Sequence, residues 1–161
     1  MLSKSAEYAL RALHCLAHVG EGGPVTTARL ADRVGVPENY LSKLLHRLQK
    51  EGVVLSRRGR GGGFALARPP GEIPLAEVVE PFDDVMERRC LLGRSECRDD
   101  DPCAAHEAWR DAVDGLRGFF LGTSLGDLGA PTRGGPCFAS DGADDPIDAR
   151  RTVAGGRSDE R

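Results

Sequence analysis

No stretch of this 161-residue chain approaches the roughly 20 consecutive apolar residues of a membrane-spanning helix, so the sequence predicts no span. The opening residues, Met1-Leu2-Ser3-Lys4-Ser5-Ala6-Glu7, lack a basic segment followed by a long apolar one, which predicts no signal peptide and a cytoplasmic protein. Internal repeats are missing too. An excess of positive charge is also lacking: the formal net charge is −3, which at first sight speaks against nucleic acid. Cysteine is present but odd in number. Five of them in a reducing compartment read as metal ligands or reactive thiols rather than a disulfide framework. Hydrophobic residues make up 40% of the chain, enough for one core, and the length fits one domain with appendages better than two full domains.

The charge is unevenly placed. Between Tyr40 and Arg68 stand seven Lys or Arg (Lys43, Arg47, Lys50, Arg57, Arg58, Arg60, Arg68) against one acid, Glu51, whereas acids prevail from Glu77 to Asp114. A local field screened within about 8–10 Å lets one basic face bind phosphate on an otherwise acidic protein.

Apolar residues recur at helical spacing from Ser3 to about Val19, until Gly20 and Gly22-Gly23-Pro24 stop the pattern. Thr26 or Thr27 can cap a short helix, Ala28–Val34, and Gly35 can take the positive φ of a tight inter-helix turn. Pro37 suits the first turn of a further helix reaching about Lys50, with Leu41, Leu44, Leu45 and Leu48 as its buried stripe. Val53–Ser56 and Gly63–Ala67 read as two strands around a basic, glycine-rich tip, Arg57–Gly62. A short helix from Pro74 to about Glu87 and a long one from Ala104 to about Leu121 follow. The long one carries Trp109, Ala112, Val113, Leu116 and Phe120 on one face. Residues 129–161, rich in Gly, Asp, Arg and Pro, read as a disordered tail.

Helix, glycine turn, helix and basic hairpin in this order form the winged helix-turn-helix pattern, a mainly α fold with a small β-hairpin wing. Residues 1–72 form the expected DNA-binding domain; 73–128 hold a cysteine loop and a dimerisation helix. With the leucines inward, Asn39, Tyr40, Ser42, Lys43 and His46 are expected to face double-stranded DNA, joined by Arg57, Arg58 and Arg60 of the wing. A homodimer would present two such units to a roughly two-fold operator. The Gly59–Gly63 stretch lacks the GK[ST] ending of a phosphate loop and runs into a strand rather than opening a helix, which leaves that reading weak.

Cys90, Cys97, Cys103 and His106 are separated by six, five and two residues. Three thiolates and an imidazole can hold a metal. Structural zinc usually draws on tighter Cys-x2–4-Cys knuckles, and these longer loops suit a wider, multi-iron object. Zinc and unconnected thiols stay open at this stage. An enzyme with a cysteine nucleophile and His106 as base lacks any second catalytic motif, and the sequence predicts no catalysis.

Thr26–Ala67, with Tyr40-Leu41 and Arg58-Gly59-Arg60-Gly61-Gly62-Gly63, resembles the winged helix of the IscR/NsrR family of bacterial transcriptional regulators. The Cys90/Cys97/Cys103/His106 set, followed by Trp109-Arg110-Asp111 and Leu125-Gly126-Asp127-Leu128, resembles the family's IscR branch most closely. The resemblance spans about residues 1–128. It implies an iron–sulfur cluster on the three cysteines, of the 2Fe–2S rather than the 4Fe–4S type if His106 is the fourth ligand. Operator affinity would then follow iron–sulfur status, redox state or nitric oxide. The first cysteine gap departs from the five residues usual in the family. Glu7 occupies a position where some relatives, a nitric oxide sensor among them, place an acid as the alternative fourth ligand. Cys15 is expected in the core, and Cys137 is not expected to be a ligand.

Overall fold

Ser3 opens the first helix: its extended backbone presents Oγ to the amide of Ala6, and α1 (Lys4–Val19) runs from there to Gly20. The computed structural model describes residues 2–20, 23–59, 61–84, 90–93 and 99–129. Thr26 repeats the capping device, accepting from the Arg29 amide, and starts α2 (Thr27–Val34). Gly35 ends it at φ 75°, donating to the Ala31 carbonyl, and turns the chain into α3 (Glu38–Lys50). Pro37 stands at the N-cap of α3 rather than inside its first turn.

Strands β1 (Val54–Arg57) and β2 (Gly63–Leu66) pair antiparallel, with Val54 opposite Leu66 and Arg57 opposite Gly63. The hairpin is tied back to the start of α2. Val25 and Phe64 exchange both backbone hydrogen bonds at 2.8 Å, so the wing grows from the helix-turn-helix itself.

Helix α4 (Leu75–Val79) is shorter than the Pro74–Glu87 helix expected from the sequence. Pro81 accounts for the early stop: Glu80 keeps helical backbone, but Pro81 has no amide to continue the helical hydrogen bonding. Residues 85–89 lie outside the described residues. The last helix, α5 (His106–Gly122), begins two residues later than expected, after a turn at Ala104-Ala105. A single 3-10 turn, Leu125–Leu128, follows and had no counterpart in the sequence reading.

One apolar core joins these elements, with Leu13, Leu16, Leu30, Leu45 and Leu48 fully buried beside Ile73, Val79 and Leu125. The chain after α5 is stitched to the start of α4: Leu75 donates to the Thr123 carbonyl at 2.8 Å and Leu125 to that of Ile73 at 2.9 Å. Thus α5 leaves from the same core that supports α3. Among the described residues, no helix is long and apolar enough to cross a membrane. The 129–161 tail expected from the sequence lies, beyond Gly129, outside the described residues.

Candidate functional site

The apolar side of α3 holds Leu41, Leu44, Leu45 and Leu48 in the core, as the leucine spacing predicts. Asn39, Lys43 and His46 are left exposed and Ser42 half-buried. Arg57 and Arg58 are exposed on the wing, and Arg60 lies outside the described residues. Helix and wing therefore carry cations in two separate places, with β1 leading from the one to the other.

Tyr40 leans inward. Its hydroxyl is 2.8 Å from that of Ser5 on α1, and its ring meets Tyr8 edge-on at 6.0 Å. This contact joins the start of α3 to α1. His46 likewise works at the helix–wing joint, with its ring edge-on to Phe64 at 5.5 Å and its Nδ1 3.3 Å from Gln49 Oε1. Arg47, on the last turn of α3, places its guanidinium 5.2 Å from the Phe82 ring.

The cysteine segment is described only in part. Cys90 and Cys103 are half-buried and take part in no disulfide, while Cys97 lies outside the described residues. His106 donates its backbone N–H to the Cys103 carbonyl at 2.9 Å, so these two residues occupy adjoining positions at the start of α5. Among the described residues no three His, Cys, Asp or Glu side chains gather as a metal-binding group. The donors themselves, thiols and an imidazole, suit iron–sulfur ligation in kind.

His106 is 5% exposed although it opens a helix. Its Nε2 lies 2.8 Å from Oδ1 of Asp99, and Arg110 Nη1 reaches the same oxygen at 3.3 Å. The hydrogen bond from His106, more than the Arg110 charge, holds the Asp99 carboxyl below its ordinary range. Glu7 is half-buried and ion-paired with Lys4 and Arg11 on its own helix, so any ligand role requires that pairing to open. Cys15 is fully buried in α1 as expected, and it is disulfide-bonded, which the sequence reading did not anticipate.

Sequence reasoning missed Asp99 and Arg110. Arg110 had a signal, since it stands one helical turn after His106. Asp99 had none, being one of three consecutive aspartates in a loop.

Comparison with known proteins settles the family. The model of the Rrf2 family, described as an iron-dependent transcriptional regulator, matches residues 2–131. This chain belongs to the Rrf2 family. It is 37% identical over 127 residues to the HTH-type transcriptional regulator IscR of Cronobacter sakazakii, a match covering 79% of this chain and 78% of that protein. The same identity over the same length relates it to IscR of Citrobacter koseri. Among solved structures it is similar to CymR, the global cysteine regulator of B. subtilis (TM-score 0.67, 26% identity, 80% of this chain and 95% of that one). It is also similar to IscR of T. potens (TM-score 0.65, 26% identity, 80% and 85% covered). The Rrf2 chain described here is accordingly a winged-helix, DNA-binding transcriptional regulator and not an enzyme.

Proposed function

We propose that this Rrf2 protein is a homodimeric, cytoplasmic regulator whose operator affinity is set by an iron–sulfur cluster held by Cys90, Cys97, Cys103 and His106. The observation that carries this reading is the placement of Cys103 and the buried His106 together at the start of the helix that leaves the DNA-binding core. When bound, the cluster would supply a centre that responds to oxidants, nitric oxide or iron–sulfur supply, of the 2Fe–2S type with an imidazole ligand.

The chain's own residues provide the readout. Asn39, Ser42 and Lys43 face outward from α3, and Arg57 and Arg58 extend the contact through the wing. Tyr40 and His46 support that surface by fixing α3 on α1 and on β2. Exposed Leu116, Phe119 and Leu121 on α5 support self-association, which would set two reading heads on a roughly two-fold operator.

Anaerobic purification with visible absorption and iron and sulfide analysis tests the cofactor. Charge-transfer bands with stoichiometric iron and sulfide are expected; a colourless protein with one zinc would replace the cluster by a zinc site. Lys43→Ala combined with Arg58→Ala tests the reading surface. Operator affinity should fall about tenfold or more at fixed salt, with a shallower salt dependence by about one unit per lost phosphate contact. Unchanged affinity would remove these residues from the interface.

A second reading keeps DNA binding and replaces the cluster with thiol chemistry. The disulfide at buried Cys15 favours it. Operator binding that follows thiol oxidation in metal-free protein would establish that alternative.

A further inference from the structure

The polar residues of α3 do not all stand on one side. Successive residues of a helix turn by about 100°, so those three, four or seven apart share a face. By that spacing Asn39, Lys43, His46 and Lys50 form one exposed row. Arg47 belongs elsewhere. It follows Tyr40 by seven positions, on the border of the leucine stripe, and the Tyr40 hydroxyl is engaged with Ser5 of α1. Arg47 is exposed, yet its guanidinium lies 5.2 Å from the ring of Phe82, on the corner that follows α4.

That corner is fastened from two directions. The amides of Phe82 and Asp83 both donate to the Val79 carbonyl, at 2.9 and 3.0 Å. From the start of α1, Ser3 donates its hydroxyl to the Phe82 carbonyl at 3.4 Å and its backbone N–H to the Asp83 carboxylate. The Phe82 ring is half-buried against the core, so it offers Arg47 a fixed partner. A guanidinium beside an aromatic face is attracted by the ring quadrupole, and its planar shape keeps one orientation there.

We infer that Arg47 is a positioning residue for DNA recognition and not itself a DNA contact: clipped to Phe82, it fixes the last turn of α3 on the corner after α4, as Tyr40 fixes the first turn on α1. Seven residues place the two ties about 10 Å apart along the helix axis. Two ties on one border oppose rotation of α3 about its leucine stripe, which would swing Asn39, Ser42 and Lys43 away from the base edges. The inference rests on the reading surface proposed above and on no cluster.

The test uses the full chain with Phe82→Leu, Arg47→Gln, the double variant and Arg47→Lys, folding being checked by circular dichroism and thermal midpoint. Binding is measured to an operator duplex selected with the wild-type protein and to a random duplex of equal length, at several salt concentrations. Phe82→Leu changes no charge, so any effect on DNA passes through α3. It and Arg47→Gln should each lower operator affinity about twofold to fivefold, with a smaller change for the random duplex. The double variant should lose no more than either single one, and Arg47→Lys, which keeps a cation for the ring, should recover most of the loss. A phosphate contact behaves otherwise: Arg47→Gln would weaken both duplexes alike with a salt dependence shallower by about one unit, and Phe82→Leu would leave both unchanged. That outcome, or losses that add in the double variant, overturns the inference. Arg47 is exposed, so the comparison of its Gln and Lys variants decides the matter even where Phe82→Leu unfolds. Lys43→Ala, measured alongside, tests the reading surface separately: unchanged operator affinity there would overturn that surface, whatever the Arg47 and Phe82 variants show.

Discussion

Gly35 and Gly63 both have positive φ, at 75° and 150°, but for different reasons. A Cβ on Gly35 would meet nothing within 4 Å, whereas one on Gly63 would lie 2.2 Å from the Val25 carbonyl oxygen. Only conformational strain opposes Gly35→Ala, and urea unfolding should show a loss of about 1–2 kcal/mol. Gly63→Ala adds a backbone clash at the point where the wing joins Val25. It should cost more than Gly35→Ala and also weaken operator binding, because the hairpin that carries Arg57 and Arg58 loses its anchor. Equal losses for the two variants would contradict this account. The same attention to single atoms distinguishes Tyr40 from its neighbours on α3, since its hydroxyl is engaged with Ser5.

At the scale of elements, α3 has two tasks and one face for each. Its leucines hold it against α1 and α2, and its polar side is presented outward. Leu45 is fully buried, and Leu45→Ala removes core atoms that no neighbour replaces. Denaturant unfolding should record a loss of about 2–5 kcal/mol, with operator affinity per folded molecule falling as α3 loosens. The ends of α3 are tied to other elements by different chemistry: Tyr40 to Ser5 near the start, Arg47 to Phe82 near the finish. Ser3 also bonds to Asp83 and Phe82, so the root of the cysteine segment touches both α1 and α3. Helix α4 shows a limit of periodicity. Apolar spacing continues through Phe82, but Pro81 stops the helix at Val79.

At the scale of the molecule, α5 is a 17-residue helix of which only His106 and Phe120 are buried. Leu116, Phe119 and Leu121 are 46%, 52% and 56% exposed. Apolar side chains repeated along a helix are covered at a net gain of about 25 cal/mol per Å² removed from water. A second copy of the chain is the proposed cover. Phe119→Asp should leave the helix-turn-helix core folded, because Phe119 lies outside it, and should convert the dimer to monomer in sedimentation velocity. Affinity for a two-fold operator should fall with it, while affinity for a half-site changes little. A dimer that persists in this variant would place the interface elsewhere.

The order of elements was legible from residue spacing alone. Leucines at 41, 44, 45 and 48 can share a face only on a helix, and Gly35 marks a turn that needs positive φ. The basic tip between two short apolar runs identified the wing. These signals are local, because capping, turn conformation and helical periodicity involve residues a few positions apart. The rest depended on closure of the chain. Ser5 meets Tyr40, Ile73 pairs with Leu125, and Asp99 finds His106 only when distant segments are brought together. Which of three consecutive aspartates reaches a buried imidazole is decided by the path of a loop, and the pattern of residue types along it carries no such information. Whether the apolar face of α5 was part of the core or left open was likewise a tertiary outcome. Periodicity makes a helix amphipathic, but only the volume filled by the other helices determines which of its faces remains in water.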